Sequence, residues 1–178
     1  MNKAKETTAV ATVEKKQETS PVFIETEKMF DKLSELTREI AQNAYEYFRK
    51  RGGEFGKELD DWFNAEAKVL RPVAVEITET DGTIDVSAAV PGFKPKEIEI
   101  SVEDNQLILS GKTEKRKERE DENVVYTDWE SNRFFRQLTL PSAVDTDNVE
   151  AELKDGILRL SLTKASTDEP KRIAVKAG

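Results

Sequence analysis

Any catalysis by this chain would rest on carboxylates, lysines, tyrosines and hydroxyls, because its 178 residues include neither cysteine nor histidine. That excludes thiol nucleophiles, disulfides, thiolate or imidazole metal sites, and any Ser-His-Asp triad. The 36 acidic residues offer many carboxylate pairs for acid–base work, yet no spacing selects one. Asp145, Asp147 and Glu150 suggest a Ca²⁺ loop, but the positions that such a loop reserves for Gly and a closing acid hold Glu150 and Gly156. A turn is the better expectation there. Gly52, Gly53 and Gly56 match no phosphate-binding fingerprint, and Asp60-Asp61 falls on the polar side of a predicted helix, where acids are solvated. The residues make no case for an enzyme, and no cofactor or metal is expected.

Two features point to binding instead. Ile173 and Val175 stand two apart in a polar tail, so in an extended segment both project to one side and can enter two pockets while the backbone adds to a sheet edge. The polar stretch Thr163 to Arg172 before them resembles a linker; the other reading is an ordinary last strand. Arg136 shares the alternation of Phe134, Leu138 and Leu140, which places a charge on the apolar side of a strand. Such a charge must be paired or lie at an interface, unless a bulge near Asn132 turns it outward.

The elements that would position these residues follow from the periodicity. Residues 1–24 are largely polar and lack an apolar period, which predicts a disordered arm. From Glu25 to Lys50 apolar residues recur at spacings of three and four, and a second such pattern runs through Leu59, Trp62, Phe63, Ala67 and Leu70 to Pro72. Gly52-Gly53 separates them, so residues 25–70 are expected to form a helical hairpin too thin to bury both its faces alone. Beyond Pro72 the period becomes two. Strands are predicted around Val73–Ile77, Ile84–Val90, Ile98–Val102, Leu107–Leu109, Val124–Trp129, Arg133–Leu140, Val149–Leu153 and Ile157–Leu162, with turns at Asp81-Gly82, Asp104-Asn105 and Asp155-Gly156. That pattern predicts a mainly β protein, an immunoglobulin-like antiparallel β-sandwich with an α-helical N-terminal region.

The net charge is −8, and neither half of the chain is basic: 12 basic and 14 acidic residues precede Arg71, and 16 and 22 follow from it. Nucleic acid is therefore not an expected partner. No stretch is apolar enough to span a membrane and the first residues do not lead into a signal core, so a cytoplasmic protein is expected.

Residues 71–164 resemble the α-crystallin domain of the small heat-shock proteins. The resemblance is carried by Ala89-Val90-Pro91-Gly92-Phe93 with Ile98 and Ile100, by ESNRFFRQLTLP over Glu130–Pro141, and by Val149-Glu150-Ala151 leading into Asp155-Gly156-Ile157-Leu158. Ile173-Ala174-Val175, in an extension over 165–178, is similar to that family's docking peptide. Asp155 stands where Asn is usual, and Thr163 where Pro is common. The resemblance implies an ATP-independent holdase that keeps partly unfolded clients from aggregating, built as a homo-oligomer of dimers. It further implies a strand near Glu120–Asn132 that swaps between partners and a dimer interface at Tyr126, Trp129, Glu130 and Arg136. The tail would dock in a groove of Ile98, Ile100, Val102, Val149, Ala151 and Leu153, and Phe23, Met29, Phe30, Leu33 and Leu36 would give clients apolar contact area. The alternative is a co-chaperone or scaffold adaptor that forms no large assembly. Arg38-Glu39-Ile40-Ala41, Ala44-Tyr45, Gly56, Leu59, Asp61-Trp62 and Ala65-Glu66 resemble a short helical bacterial domain of unassigned function.

Overall fold

The computed structural model describes residues 20–116 and 129–166. In chain order the elements are β1 (Val22–Phe23), α1 (Thr26–Lys50), α2 (Glu58–Val69), β2 (Val75–Glu79), β3 (Thr83–Ala89), a 3₁₀ turn (Pro95–Glu97), β4 (Ile98–Glu103), β5 (Gln106–Arg116), β6 (Trp129–Thr139), β7 (Val144–Lys154) and β8 (Ile157–Lys164). They form two four-stranded sheets, ordered β1-β4-β5-β6 and β2-β3-β8-β7. All pairings are antiparallel except β1 with β4.

Alternation along the strands builds the core. Ile84, Val86 and Ala88 on β3 and Leu158, Leu160 and Leu162 on β8 face Ile98, Ile100, Leu107, Leu109 and Phe134 of the other sheet, all of them buried. Because side chains alternate with period two, the intervening Asp85, Ser87, Arg159 and Ser161 face away from that core. Gly111 lies opposite Phe134, whose ring fills the space a Cβ would need. That ring also meets Phe93 edge-on, with centroids 4.9 Å apart.

The helical hairpin uses the sandwich to cover its apolar side. Leu36, Ile40 and Ala65 are buried with Phe135, which by register points away from the sandwich core. Ser101 and Ile108, opposite one another on that outward face, are buried as well. Polar contacts fix the placement: Thr26 Oγ1 lies 2.9 Å from Ser101 Oγ, Lys32 pairs with Glu99, and Arg133 pairs with Glu39. The Arg71 amide donates to the Arg133 carbonyl at 2.8 Å, so β6 holds both helices of the hairpin.

At the hairpin turn, Gly52 and Gly53 take positive φ angles of 96° and 73°, and their amides donate to Arg49 and Phe48 carbonyls. Arg51 then reaches across the turn. Its Nε and Nη2 donate to the Asp61 carboxylate at 2.8–3.1 Å, its Nη1 to the Glu54 carbonyl, and it lies over the Phe48 ring. Asp61 is therefore only 6% exposed, which corrects the expectation of a solvated acid; the partner comes from the opposite helix end. The same geometry raises the Arg51 pKa, chiefly through its hydrogen bond to Asp61.

Three further expectations change. The arm assigned to residues 1–24 includes an ordered end, because Val22 and Phe23 pair with Glu99 and Ile100. Leu59 and Phe63 lie on the exposed side of α2, whereas Asp61, Trp62, Ala65 and Val69 face inward to varying degrees. The stretch Asp145–Glu150, expected as a turn, belongs to β7 and spans a register shift between Val144 and Val149. Within it Asp145 accepts from the Asn148 amide and the Asp147 N–H, which hold its pKa low, and no metal-binding cluster occurs among the described residues.

Candidate functional site

The seam between the two sheets has β4 on one side and β7 on the other. The half-buried side chains Val102, Val149, Ala151 and Leu153 line it against the sandwich core. These four are accessible members of the expected groove. Ile98 and Ile100 are not: both are fully buried, because their alternation carries them inward beneath β3 and β8. They form the floor of the seam and offer no open pocket wall.

β1 occupies the edge of β4. Val22 pairs with Glu99 and Phe23 with Ile100, and the Ile24 amide donates to the Ile100 carbonyl at 2.9 Å. Parallel register places Phe23 on the inward side with Ile100, near β7, where it helps wall a hollow of about 850 Å³ with Ser20, Val149 and Ala151. The rest of that lining includes Asp85, Glu150, Glu152 and Arg159, so the hollow opens onto the polar outer side of the second sheet.

Arg136 lies opposite Leu109 in an unbroken β5–β6 register, so no bulge turns it to the other face. It is nevertheless exposed, because among the described residues β6 is the last strand of its sheet and the side chain leaves the core at that edge. Arg136 thus keeps the parity of Phe134 and Leu138, and its charge is solvated in the single chain. Trp129 and Glu130 begin the same strand, paired with Arg116 and Lys115. Tyr126, Ile173, Val175 and the part of the expected swapped strand (Glu120–Asn132) that precedes Trp129 lie outside the described residues, while Trp129–Asn132 belong to β6.

The five residues assigned to clients separate. Phe23 and Phe30 are half exposed and Leu33 is half-buried, but Met29 and Leu36 are buried under the helices. The correction has a simple cause, since a helix packed on a sheet hides its most regular apolar stripe. Sequence reasoning missed the larger open surface: Phe55 is 87% exposed, Leu59 71%, Phe63 59% and Tyr45 62%. The i, i+4 spacing of Leu59 and Phe63 on α2 was the available signal. The Phe55 ring packs on Phe48, which stacks with Tyr45.

Elsewhere, ion pairs secure strand ends. Glu79 at the end of β2 accepts from Lys164 at 2.7 Å and from Ser142 at 3.1 Å, which lowers its pKa and ties the β2 edge to β8. No helix among the described residues is long and apolar enough to cross a membrane.

The Hsp20/alpha crystallin family model matches residues 76–176, more than half of the chain. A second model, described as a protein of unknown function (DUF2934), matches residues 35–71, from within α1 to just past α2. Spore protein SP21 of Stigmatella aurantiaca is 37% identical over 115 residues, covering 64% of this chain and 68% of that protein. Small heat shock protein C4 of Rickettsia felis is 32% identical over 108 residues, 61% of this chain and 66% of that one. Among solved structures, heat shock protein 16.0 from Schizosaccharomyces pombe aligns at 25% identity and a TM-score of 0.45, over 60% of this chain and 99% of that one. The sandwich, its sequence signatures and a family match over most of the β region make this chain a member of the Hsp20/alpha-crystallin family of small heat-shock chaperones.

Proposed function

We propose that the protein is an ATP-independent holdase, which binds partly unfolded polypeptides through exposed apolar surface and keeps them from aggregating. The observation that carries this reading is the open aromatic and aliphatic stripe of Phe55, Leu59 and Phe63, with Phe23 and Phe30 half exposed. Leu59 and Phe63 stand one turn apart on the open side of α2, and exposed large apolar side chains grouped in this way mark a site of interaction. Clients sharing only exposed apolar segments are recognised by such a surface without sequence specificity, and weak contacts summed over several subunits give useful avidity. The test is light scattering of a heat-aggregating model client, without ATP, at increasing ratios of this protein. Scattering that falls to baseline near equimolar subunits is the expected result. Undiminished scattering, with the protein a monomer or dimer, would favour an adaptor role.

Assembly in this reading starts from dimers joined along the β6 region and grows when the tail peptide docks on a neighbour's β4–β7 seam. Ile173→Ala combined with Val175→Ala should reduce the assembly to dimers by sedimentation velocity, since both pocket-filling groups are gone. A variant that sediments like the parent would remove the docking assignment.

Arg136 is solvated in one chain and stands at a sheet edge among the described residues, a placement suited to an ion pair with a partner subunit. Arg136→Ala is expected to raise the dimer dissociation constant about tenfold, within the range found for charged interface anchors. Equilibrium sedimentation in the Ile173→Ala, Val175→Ala background isolates the dimer step. An unchanged constant would leave Arg136 as a surface residue.

A further inference from the structure

We propose that β1 is a displaceable placeholder: residues Ser20–Ile24 close the β4 edge of their own subunit, and a neighbour's tail peptide takes that edge only by driving them off. The proposal rests on the tail-docking reading above.

Sequence limits β1 to a short and weak strand. Pro21 precedes it and has no amide to extend the ladder, while α1 begins at Thr26 and ends the extended conformation. Only Val22 and Phe23 pair, covering two of the six residues of β4, and both side chains stay more than two-fifths exposed. Within Ser20–Ile24 only Pro21 is buried, and a segment with two paired residues opens at low cost. Yet it uses what a docking peptide needs, the Ile100 carbonyl at the β4 edge, and its Phe23 borders the space beside Val149 and Ala151. Two strands cannot accept the same edge.

Displacement need not undo the hairpin. α1 remains tied to the sheet beyond β1 through Thr26–Ser101, Lys32–Glu99 and Glu39–Arg133. The freed residues carry Phe23, so docking of a tail adds an aromatic side chain to the apolar surface offered to clients. In the reverse direction, a dissociated subunit does not expose a bare β4 edge, where unpaired strand groups invite edge-to-edge aggregation. β1 returns and covers it.

The absence of cysteine from the full chain makes a direct test possible. Val22 and Glu99 are paired on one face of the sheet, and neighbouring strands lie about 4.8 Å apart, within the Cα separation a disulfide bridges. The full-length Val22→Cys, Glu99→Cys variant should form an intrachain disulfide on oxidation. Its oxidised form should sediment as a dimer and its reduced form as the parent assembly. Comparing two redox states of one variant cancels the loss of the Lys32–Glu99 pair. Failure of the disulfide to form, or its formation between chains, would show that β1 does not sit on its own β4 and overturn the proposal. A locked protein of parental size overturns it too; if Ile173→Ala, Val175→Ala still shrinks the assembly, the docking reading survives, and if not, both fall. A second variant loosens β1. Ile24→Pro removes the amide that donates to Ile100, worth about a fivefold change in equilibrium, so the assembly should resist dissociation at about fivefold lower protein concentration. An unchanged or higher dissociation midpoint would count against the placeholder.

Discussion

Gly111→Ala should destabilise the sandwich by about 3 kcal/mol, at the upper end of the usual cost of overpacking a core. The added Cβ would sit 2.2 Å from Phe134 Cε1 and 2.9 Å from two further ring carbons. A flexible side chain could swing aside, but this ring is fully buried and braced edge-on by Phe93. Relief must therefore come from the backbone of β5 or β6. Urea denaturation followed by far-UV circular dichroism, in the Ile173→Ala, Val175→Ala background, measures the effect. The Gly111→Ala, Phe134→Leu double variant should be less unstable than the sum of its parts, because the smaller side chain vacates the contested space. Strict additivity would mean that the clash is not the cause.

Asp61→Ala is the second large effect, expected to cost the hairpin about 2–3 kcal/mol through loss of hydrogen bonds to a charged partner. The carboxylate accepts three contacts from Arg51 in a nearly buried setting, and these fasten the start of α2 to the end of α1. Its removal leaves the guanidinium beside Phe48 with only the Glu54 carbonyl among the partners named at the turn. Trp62 adjoins Asp61 and packs in the hairpin cluster, so its fluorescence in a Trp129→Phe background follows this unit separately. The hairpin transition should move to lower temperature while the β-sheet signal holds. A coincident loss of both signals would mean that hairpin and sandwich unfold as one.

Strand parity was legible because a sandwich buries one face of each strand, and period two then names the core outright: Ile84, Val86, Leu158 and Leu160 follow from spacing alone. Arg136 was legible in the same way, to the point of its face but not its exposure, since the exposure depends on β6 being an edge. The helices were legible as elements but not in orientation. Leu59 and Trp62 are both apolar and three apart, and only contact with α1 and Phe135 selects Trp62 for the inside. Asp61 escaped because its partner is set by the geometry of a glycine turn ten residues earlier in sequence. β1 escaped because a two-residue strand has no periodicity; its existence depends on an edge over seventy residues away.

Arg133 joins these levels. Its guanidinium holds α1 through Glu39, its carbonyl receives the amide of Arg71 at the exit of α2, and three residues along the same strand stands Arg136. The hairpin is thus tied to β6 at Arg133 as well as to β4 at Ser101 and Glu99. If two subunits join along β6, Arg133 and Arg136 put the mounting of each hairpin and the joint on one strand, so a shift of that strand moves both together.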